Sequence, residues 1–198
     1  MEQKLVLITG GSRGIGAQTA LLAAQDGWNV VLTYRTKKDE AQVIVDEIKQ
    51  LGQIALAVKV DFAHEQEIYD LFNTIDETFG RLDALVNNAG VITKITPFTN
   101  MSPERMRDVF NINVVGSFIC SQQAVKRMAI SEGGQGGAIV NLSSAAARLG
   151  SPNEFIDYAA SKGAIDTLTI GLSKEVAPEC IRVNAVRPGL IETDMHED

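Results

Sequence analysis

Six short apolar runs punctuate the chain, at 4–9, 29–34, 54–60, 83–87, 138–143 and 181–186. Each is rich in Val, Ile or Leu without polar alternation, as strands buried on both faces are. The stretches between them carry helical spacing instead. Ile68, Leu71, Phe72, Ile75 and Phe79 trace one helix face, stopped by Gly80. Val43, Ile44, Ile48 and Leu51 trace another, stopped by Gly52. Ser102-Pro103-Glu104 marks a helix start, with a capping Ser and Pro in the first turn, and predicts a helix over 102–129. Ile165, Leu168 and Leu172 place a helix over 157–176. Strand and helix alternate throughout, which predicts an α/β fold with a doubly wound parallel sheet, in one domain over 1–198. There is no internal repeat and no linker. The run Gly133-Gly134-Gln135-Gly136-Gly137 reads as a flexible connector before the fifth strand.

The first strand runs into Thr9-Gly10-Gly11-Ser12-Arg13-Gly14-Ile15-Gly16, and a strongly helix-forming segment follows. Strand, glycine turn and helix N-terminus in that order make an anion site, because backbone N–H groups and the helix dipole point at a phosphate. Gly10 allows the tight turn. Gly14 and Gly16 permit close approach of backbone to ligand or of helix to sheet. No Lys-Ser or Lys-Thr follows the glycines, so this is not a nucleoside-triphosphate loop. A second feature lies at Tyr158 and Lys162. At i and i+4 on a helix they share one face, about 6 Å apart along the axis. An ammonium there can favour the phenolate, bringing a phenol with a pKa of about 10 toward acid–base use. Alone, such a pair is ordinary helix surface; beside a glycine turn it is a candidate acid/base.

Charge and composition narrow the field. The net charge of −7 and a pI near 4.9 disfavour nucleic acid and anionic membrane as partners. The two cysteines, Cys120 and Cys180, are far apart and suggest no disulfide framework, so a cytoplasmic setting is expected. The glycine turn is reached by residue 10, too early for a signal peptide, and no apolar run approaches the roughly 18 residues of a membrane span. His64 and His196 are isolated, and no metal site is expected.

Together these segments resemble the short-chain dehydrogenase/reductase family in its single-domain, Rossmann-like branch. Residues 9–16 match its cofactor turn, Asn87-Asn88-Ala89-Gly90 its NNAG motif, and Pro188-Gly189 with Thr193 the segment after the sixth strand. Asn113, Ser144, Tyr158 and Lys162 match its catalytic set. The match runs from residue 4 to about 195, with every motif in order. The overall pattern is similar to sugar dehydrogenases and 3-oxoacyl-carrier-protein reductases.

The resemblance implies a dinucleotide held by Gly10, Ser12, Arg13, Gly14, Ile15 and Gly16, with Tyr34, Arg35, Asp61, Phe62, Asn88, Ala89 and Gly90 around the adenosine half. Pro188, Gly189, Ile191 and Thr193, with Tyr158 and Lys162, would hold the nicotinamide half. It implies that Tyr158 passes a proton to a carbonyl oxygen and that Ser144 fixes that oxygen. Lys162 would lower the Tyr158 pKa and bind the ribose. Asn113 would hold a water linking Lys162 to solvent. Asn88 also reads as a turn residue satisfying backbone groups, and Asn113 as a helix-interior Asn facing a neighbouring carbonyl. Ser143 is easily confused with Ser144.

The second strand ends Thr33-Tyr34-Arg35, with no acid before Asp39. A carboxylate there would accept from a ribose 2′-OH, whereas guanidinium groups pair with a 2′-phosphate. NADP(H) is therefore favoured over NAD(H), unless Arg13, Arg35, Lys37 and Lys38 are only solvated charges. Three functions are compatible: an NADP(H)-dependent carbonyl reductase or secondary-alcohol dehydrogenase, an NAD-dependent sugar or polyol dehydrogenase, and a dinucleotide-binding fragment without turnover. The substrate would be a small carbonyl or alcohol, bordered by Ala145, Ala146, Leu149, Asn153, Glu154 and Phe155. The resemblance implies a homo-oligomer, a dimer or homotetramer, through the helices at 102–129 and 157–176, which relatives pack into a four-helix bundle, and small residues Ala160, Gly163 and Ala164 suit either that contact or packing on the sheet. Relatives also continue past Pro188-Gly189 to a seventh strand, so a C-terminal truncation in the substrate loop, with the sixth strand left at the edge, is expected.

Overall fold

The computed structural model describes residues 3–191. Within them, six strands form one parallel sheet: β1 (Leu5–Ile8), β2 (Asn29–Tyr34), β3 (Ala55–Lys59), β4 (Ala84–Asn87), β5 (Gly137–Leu142) and β6 (Ile181–Val186). Their spatial order is β3-β2-β1-β4-β5-β6, a doubly wound Rossmann-like sheet. β1 pairs with β2 on one side and β4 on the other, so the chain changes direction of winding there. Ligands in such sheets lie outside the carboxyl ends of the strands at that switch point.

Alternation along β1 divides the interior. Leu5 and Leu7 face a core with Ile68 and Phe72 of α3 (Glu65–Phe79) and Cys120 and Met128 of α5 (Gly116–Met128). Val6 and Ile8 face a second core with Ala20 and Ala24 of α1 (Gly14–Gln25) and Val45 and Ile48 of α2 (Lys38–Gln50). The apolar runs thus become strands, trimmed by a residue or so at their ends. Cys120 is fully buried, and burial pushes its thiol pKa up, so it behaves as a small hydrophobe.

Three sequence expectations change. The helix over 102–129 is not continuous: α4 (Pro103–Phe110), capped by the Ser102 hydroxyl accepting from Arg105 N, passes through a π-helical turn (Asn111–Val115) into α5. The wider turn accompanies the bonding of the Asn113 side chain to the backbone of Val91 outside the helix. A four-residue helix, α6 (Ala146–Leu149), precedes α7 (Ile156–Glu175) and was not visible as periodicity. The glycine run at 133–137 is a packed junction rather than a flexible connector. A Cβ on Gly136 would lie 2.5 Å from Cys180 O, and one on Gly137 would lie 2.7 Å from Asp83 O. β6 is an edge strand among the described residues, with Arg182, Asn184 and Val186 exposed.

Gly133 and Gly136 both have left-handed backbones, with φ of 90° and 76°, but a Cβ on Gly133 meets nothing within 4 Å. Gly133→Ala should therefore cost only the left-handed strain, about 1 kcal/mol. Gly136→Ala should cost roughly 1–3 kcal/mol more through overpacking. Urea denaturation of the two variants checks this; equal midpoints would contradict the packed junction.

Candidate active site

A cleft of about 210 Å³ opens at the switch point. Its floor is the turn after β1. Gly10 and Gly14 take left-handed backbones there, with φ of 65° and 55°. Gly10 N donates to the Thr33 hydroxyl at 2.9 Å, tying the turn to β2. Asn88 ties it to β4: its amide nitrogen donates to the carbonyls of both Thr9 and Gly10, each at 2.9 Å. Thr9 returns the contact, its hydroxyl accepting from Asn88 N and Ala89 N. Asn88 thus has the turn-satisfying role that the sequence left open. Gly16 lies behind the turn, and a Cβ there would overlap Gly10 O and the Asn88 amide.

Twelve predicted residues line the cleft: Gly10, Ser12, Arg13, Gly14, Ile15, Tyr34, Arg35, Asp61, Phe62, Asn88, Ala89 and Gly90. Thr33, Thr36, Val60, Val91 and Ile112 line it too and were missed. A polar Thr33 inside an apolar strand was the available signal for one of them. Arg13 caps α1 without a side-chain hydrogen bond, and the first turn of α1 holds no acidic residue. Its N–H groups therefore face the cleft with no protein anion to satisfy them, which suits a pyrophosphate. The cleft fits a dinucleotide on that ground.

The remaining predicted residues converge beside the cleft. Tyr158 and Lys162 lie on α7, with the Lys162 ammonium 5.6 Å from the Tyr158 ring centre. Lys162 is buried and donates to Leu142 O at 2.6 Å, at the end of β5. Ser144 follows β5; its hydroxyl lies by the Tyr158 phenol, where it favours the phenolate, and accepts from Ala146 N at 3.1 Å. Ser143, by contrast, is buried and donates to Lys162 O at 3.2 Å, away from the phenol. The geometry therefore separates the two serines.

Asn113 is buried in the π-turn. Its Oδ1 accepts from Val91 N at 2.8 Å, and its amide nitrogen donates to Val91 O and the Ser161 hydroxyl. The side chain thus faces backbone, as one of the two sequence readings had it. Gly90 fills the space between, since a Cβ there would come within 3.3 Å of Asn113 Oδ1 and 3.6 Å of the Lys162 ammonium. Pro188 O accepts from Ala145 N at 2.9 Å, bringing the segment after β6 against Ser144. Gly189 and Ile191 follow it; Thr193 and the chain's last residues lie outside the described residues.

The expected lowering of the Tyr158 pKa is not met. Burial pushes the phenol up, and the Ser144 hydroxyl only partly offsets it. Burial also pushes Lys162 down, to about 8, with Asp166 pulling the other way. The reason is tertiary: spacing on a helix says nothing about how dry its surroundings are.

Both the fold and this side-chain arrangement now bear on ancestry. The chain matches the family described as short chain dehydrogenase over residues 4–198. The chain belongs to the short-chain dehydrogenase family. An uncharacterized oxidoreductase, YgfF of Escherichia coli K12, is 52% identical over 97% of this chain and 78% of its own length. The 3-oxoacyl-acyl-carrier-protein reductase FabG of Staphylococcus aureus is 38% identical over 97% of this chain and 76% of its own length. A Burkholderia cenocepacia short-chain dehydrogenase, solved in complex with NADP, superposes with a TM-score of 0.89 at 37% identity, covering 97% and 76% of the two chains. Acetoin dehydrogenase from Enterobacter cloacae superposes at 0.91 with 36% identity, covering 99% and 79%. Among the described residues of this short-chain dehydrogenase, no helix is long and apolar enough to cross a membrane, and no group of three or more His, Cys, Asp or Glu is placed to hold a metal.

Lys162 holds its proton less tightly folded than unfolded, at about 8 against 10.5. Between those values the unfolded chain binds the extra proton, so this group makes stability rise with pH across that window. The rise should be roughly 2 kcal/mol between pH 8 and 10. Lys162→Met should flatten it, as measured by urea denaturation at the two pH values. The same slope in both proteins would mean that Lys162 is better solvated than its burial indicates.

Proposed function

We propose that this oxidoreductase transfers a hydride between NADP(H) and a small carbonyl or secondary alcohol, with Tyr158 as the acid/base. The observation that carries the reading is the meeting of Tyr158, Ser144 and Lys162 beside an anion-suited cleft, behind its lining residue Gly90. The bound dinucleotide supplies the hydride. Tyr158 Oη gives its proton to the substrate oxygen in reduction, and takes it back in oxidation. Ser144 Oγ, beside the phenol, holds that oxygen in place. Lys162, anchored by Leu142 O, presents its charge to the phenol and to the cofactor's ribose. Asn113, fixed to Val91, supports a water on the route from Lys162 to solvent.

NADP(H) is favoured by the cations in the glycine turn and at the end of β2. Arg13 and Arg35 are exposed and line the cleft, while Lys37 is engaged with Glu40 at 2.9 Å. No carboxylate lies between Tyr34 and Lys38 to accept from a 2′-OH. The NADP-bound Burkholderia relative is consistent with this. A homo-oligomer is supported by apolar side chains left exposed on the helices: Phe110, Val115, Phe118 and Ile170. Ala160 is exposed beside them, and a Cβ on Gly163 would meet nothing within 4 Å, so both face outward rather than toward the sheet. Both cysteines are free, which suits a reducing cytoplasm.

Two substitutions test this reading. Tyr158→Phe should lower turnover about a hundred- to ten-thousand-fold while dinucleotide binding persists; NADPH oxidation against a panel of small ketones measures it, and wild-type turnover would sink the acid/base role. Arg35→Asp should shift the ratio of kcat/KM for NADPH over NADH toward NADH, by roughly tenfold or more, the worth of a charge-assisted contact. An unchanged ratio in both Arg35→Asp and Tyr34→Asp would place the 2′ pocket elsewhere.

A further inference from the structure

The first turn of α7 begins without a side-chain cap: Phe155 precedes it and contributes none. Asp157 does the work from inside the turn. Its Oδ1 accepts from Tyr158 N at 2.9 Å, satisfying the orphan donor of the phenol-bearing residue itself. The same carboxylate is held by Arg105 of α4. Arg105 Nε donates to Asp157 Oδ2 at 2.6 Å, and Nη2 donates to Oδ1 at 3.1 Å. Asp157 is 5% exposed, so this bidentate pair is withdrawn from water. Burial pushes the carboxyl pKa up, but the Arg105 and Tyr158 contacts outweigh it and hold it below its ordinary value.

Arg105 has a third engagement. Its Nη1 donates to Lys94 O at 2.7 Å and to the Thr96 hydroxyl at 2.6 Å, in the segment that follows β4 and Gly90. Thr96 N in turn donates to Glu154 O at 3.1 Å, just before α7. The segment leading into α7 is conformationally costly. Gly150, Ser151 and Asn153 all have left-handed backbones, with φ of 77°, 43° and 64°. Non-glycine residues persist there only when their surroundings over-determine them. One guanidinium therefore joins the start of the Tyr158 helix to the loop that leaves the cleft at Val91.

We propose that Arg105 and Asp157 are positioning residues that together latch the first turn of α7 to loop 91–97, and so set the Tyr158 hydroxyl against the substrate oxygen. Neither touches the cleft. The catalytic consequence rests on the reading of Tyr158 as acid/base; the mechanical link between the two segments does not.

Hydrogen–deuterium exchange on the intact chain, without ligand, tests the link. Arg105→Met should speed exchange roughly tenfold both at 150–158 and at 91–97, leaving β1 and β4 protected. Arg105→Lys keeps the charge but cannot reach all these acceptors from a single ammonium, so it should recover only part of the protection. Protection unchanged at either segment in Arg105→Met overturns the latch, whatever the activity. The catalytic consequence is read with NADPH and 2,3-butanedione as the probe carbonyl. Arg105→Met should lower kcat about ten- to a hundredfold, as a displaced catalytic group does, with NADPH affinity within about twofold of wild type. Asp157→Asn added to Arg105→Met should cost little more, because the pair acts as a unit. An unchanged kcat, or NADPH affinity falling in step with kcat, would overturn the positioning role. Tyr158→Phe, run alongside, should lose turnover with normal exchange. If Tyr158→Phe keeps its turnover, the acid/base reading fails while the exchange result still decides the latch.

Discussion

A single amide side chain holds the site together. Asn88 donates to two consecutive carbonyls, those of Thr9 and Gly10, and so fastens the turn after β1 to the end of β4. These strands flank the point where the winding of the sheet reverses. Without a bridge there, the carbonyl of buried Thr9 would be unpaired, which costs more than a lost hydrogen bond in water. With it, the turn stays open on one side only, facing the cleft. Gly16 then packs so closely behind that no side chain is tolerated. The anion-suited helix end and the floor of the cleft take their placement from this contact.

Much of this was legible because it is local. Strand runs and the glycine turn are patterns in consecutive residues, and Tyr158 and Lys162 are related by one helical turn. What stayed hidden depends on partners far along the chain. Arg105 and Asp157 are 52 residues apart and carry no joint signal in sequence. The π-turn at Asn111–Val115 goes with a side chain bonded outside the helix, so the helical pattern runs straight through it. The glycine run at 133–137 looks like a tether, yet its crowding comes from Asp83 and Cys180. The phenol's raised pKa is likewise a property of the packed interior.

The site is also a place where packing and chemistry oppose each other. Lys162 keeps an amine in a dry position with one carbonyl as its hydrogen-bond acceptor. Such burial is unfavourable for the charged form and would be removed by selection for stability alone. It brings the ammonium close to the phenol in a region where water screens little. The left-handed residues before α7 belong to the same trade: they are costly conformations beside the reacting groups.

The division of the interior by β1 carries a different consequence, for how the protein can change. Leu5 and Leu7 serve one core, and Val6 and Ile8 serve the other. The backbone of β1 is a shared wall through which side chains on opposite faces do not touch. Substitutions in the two cores should therefore combine nearly independently in their effect on stability. A lineage can repack the α1–α2 side, beneath the dinucleotide turn, while the α3–α5 side drifts on its own path. Coupling from one layer to the other is expected at the carboxyl end of the sheet, where both meet the cleft.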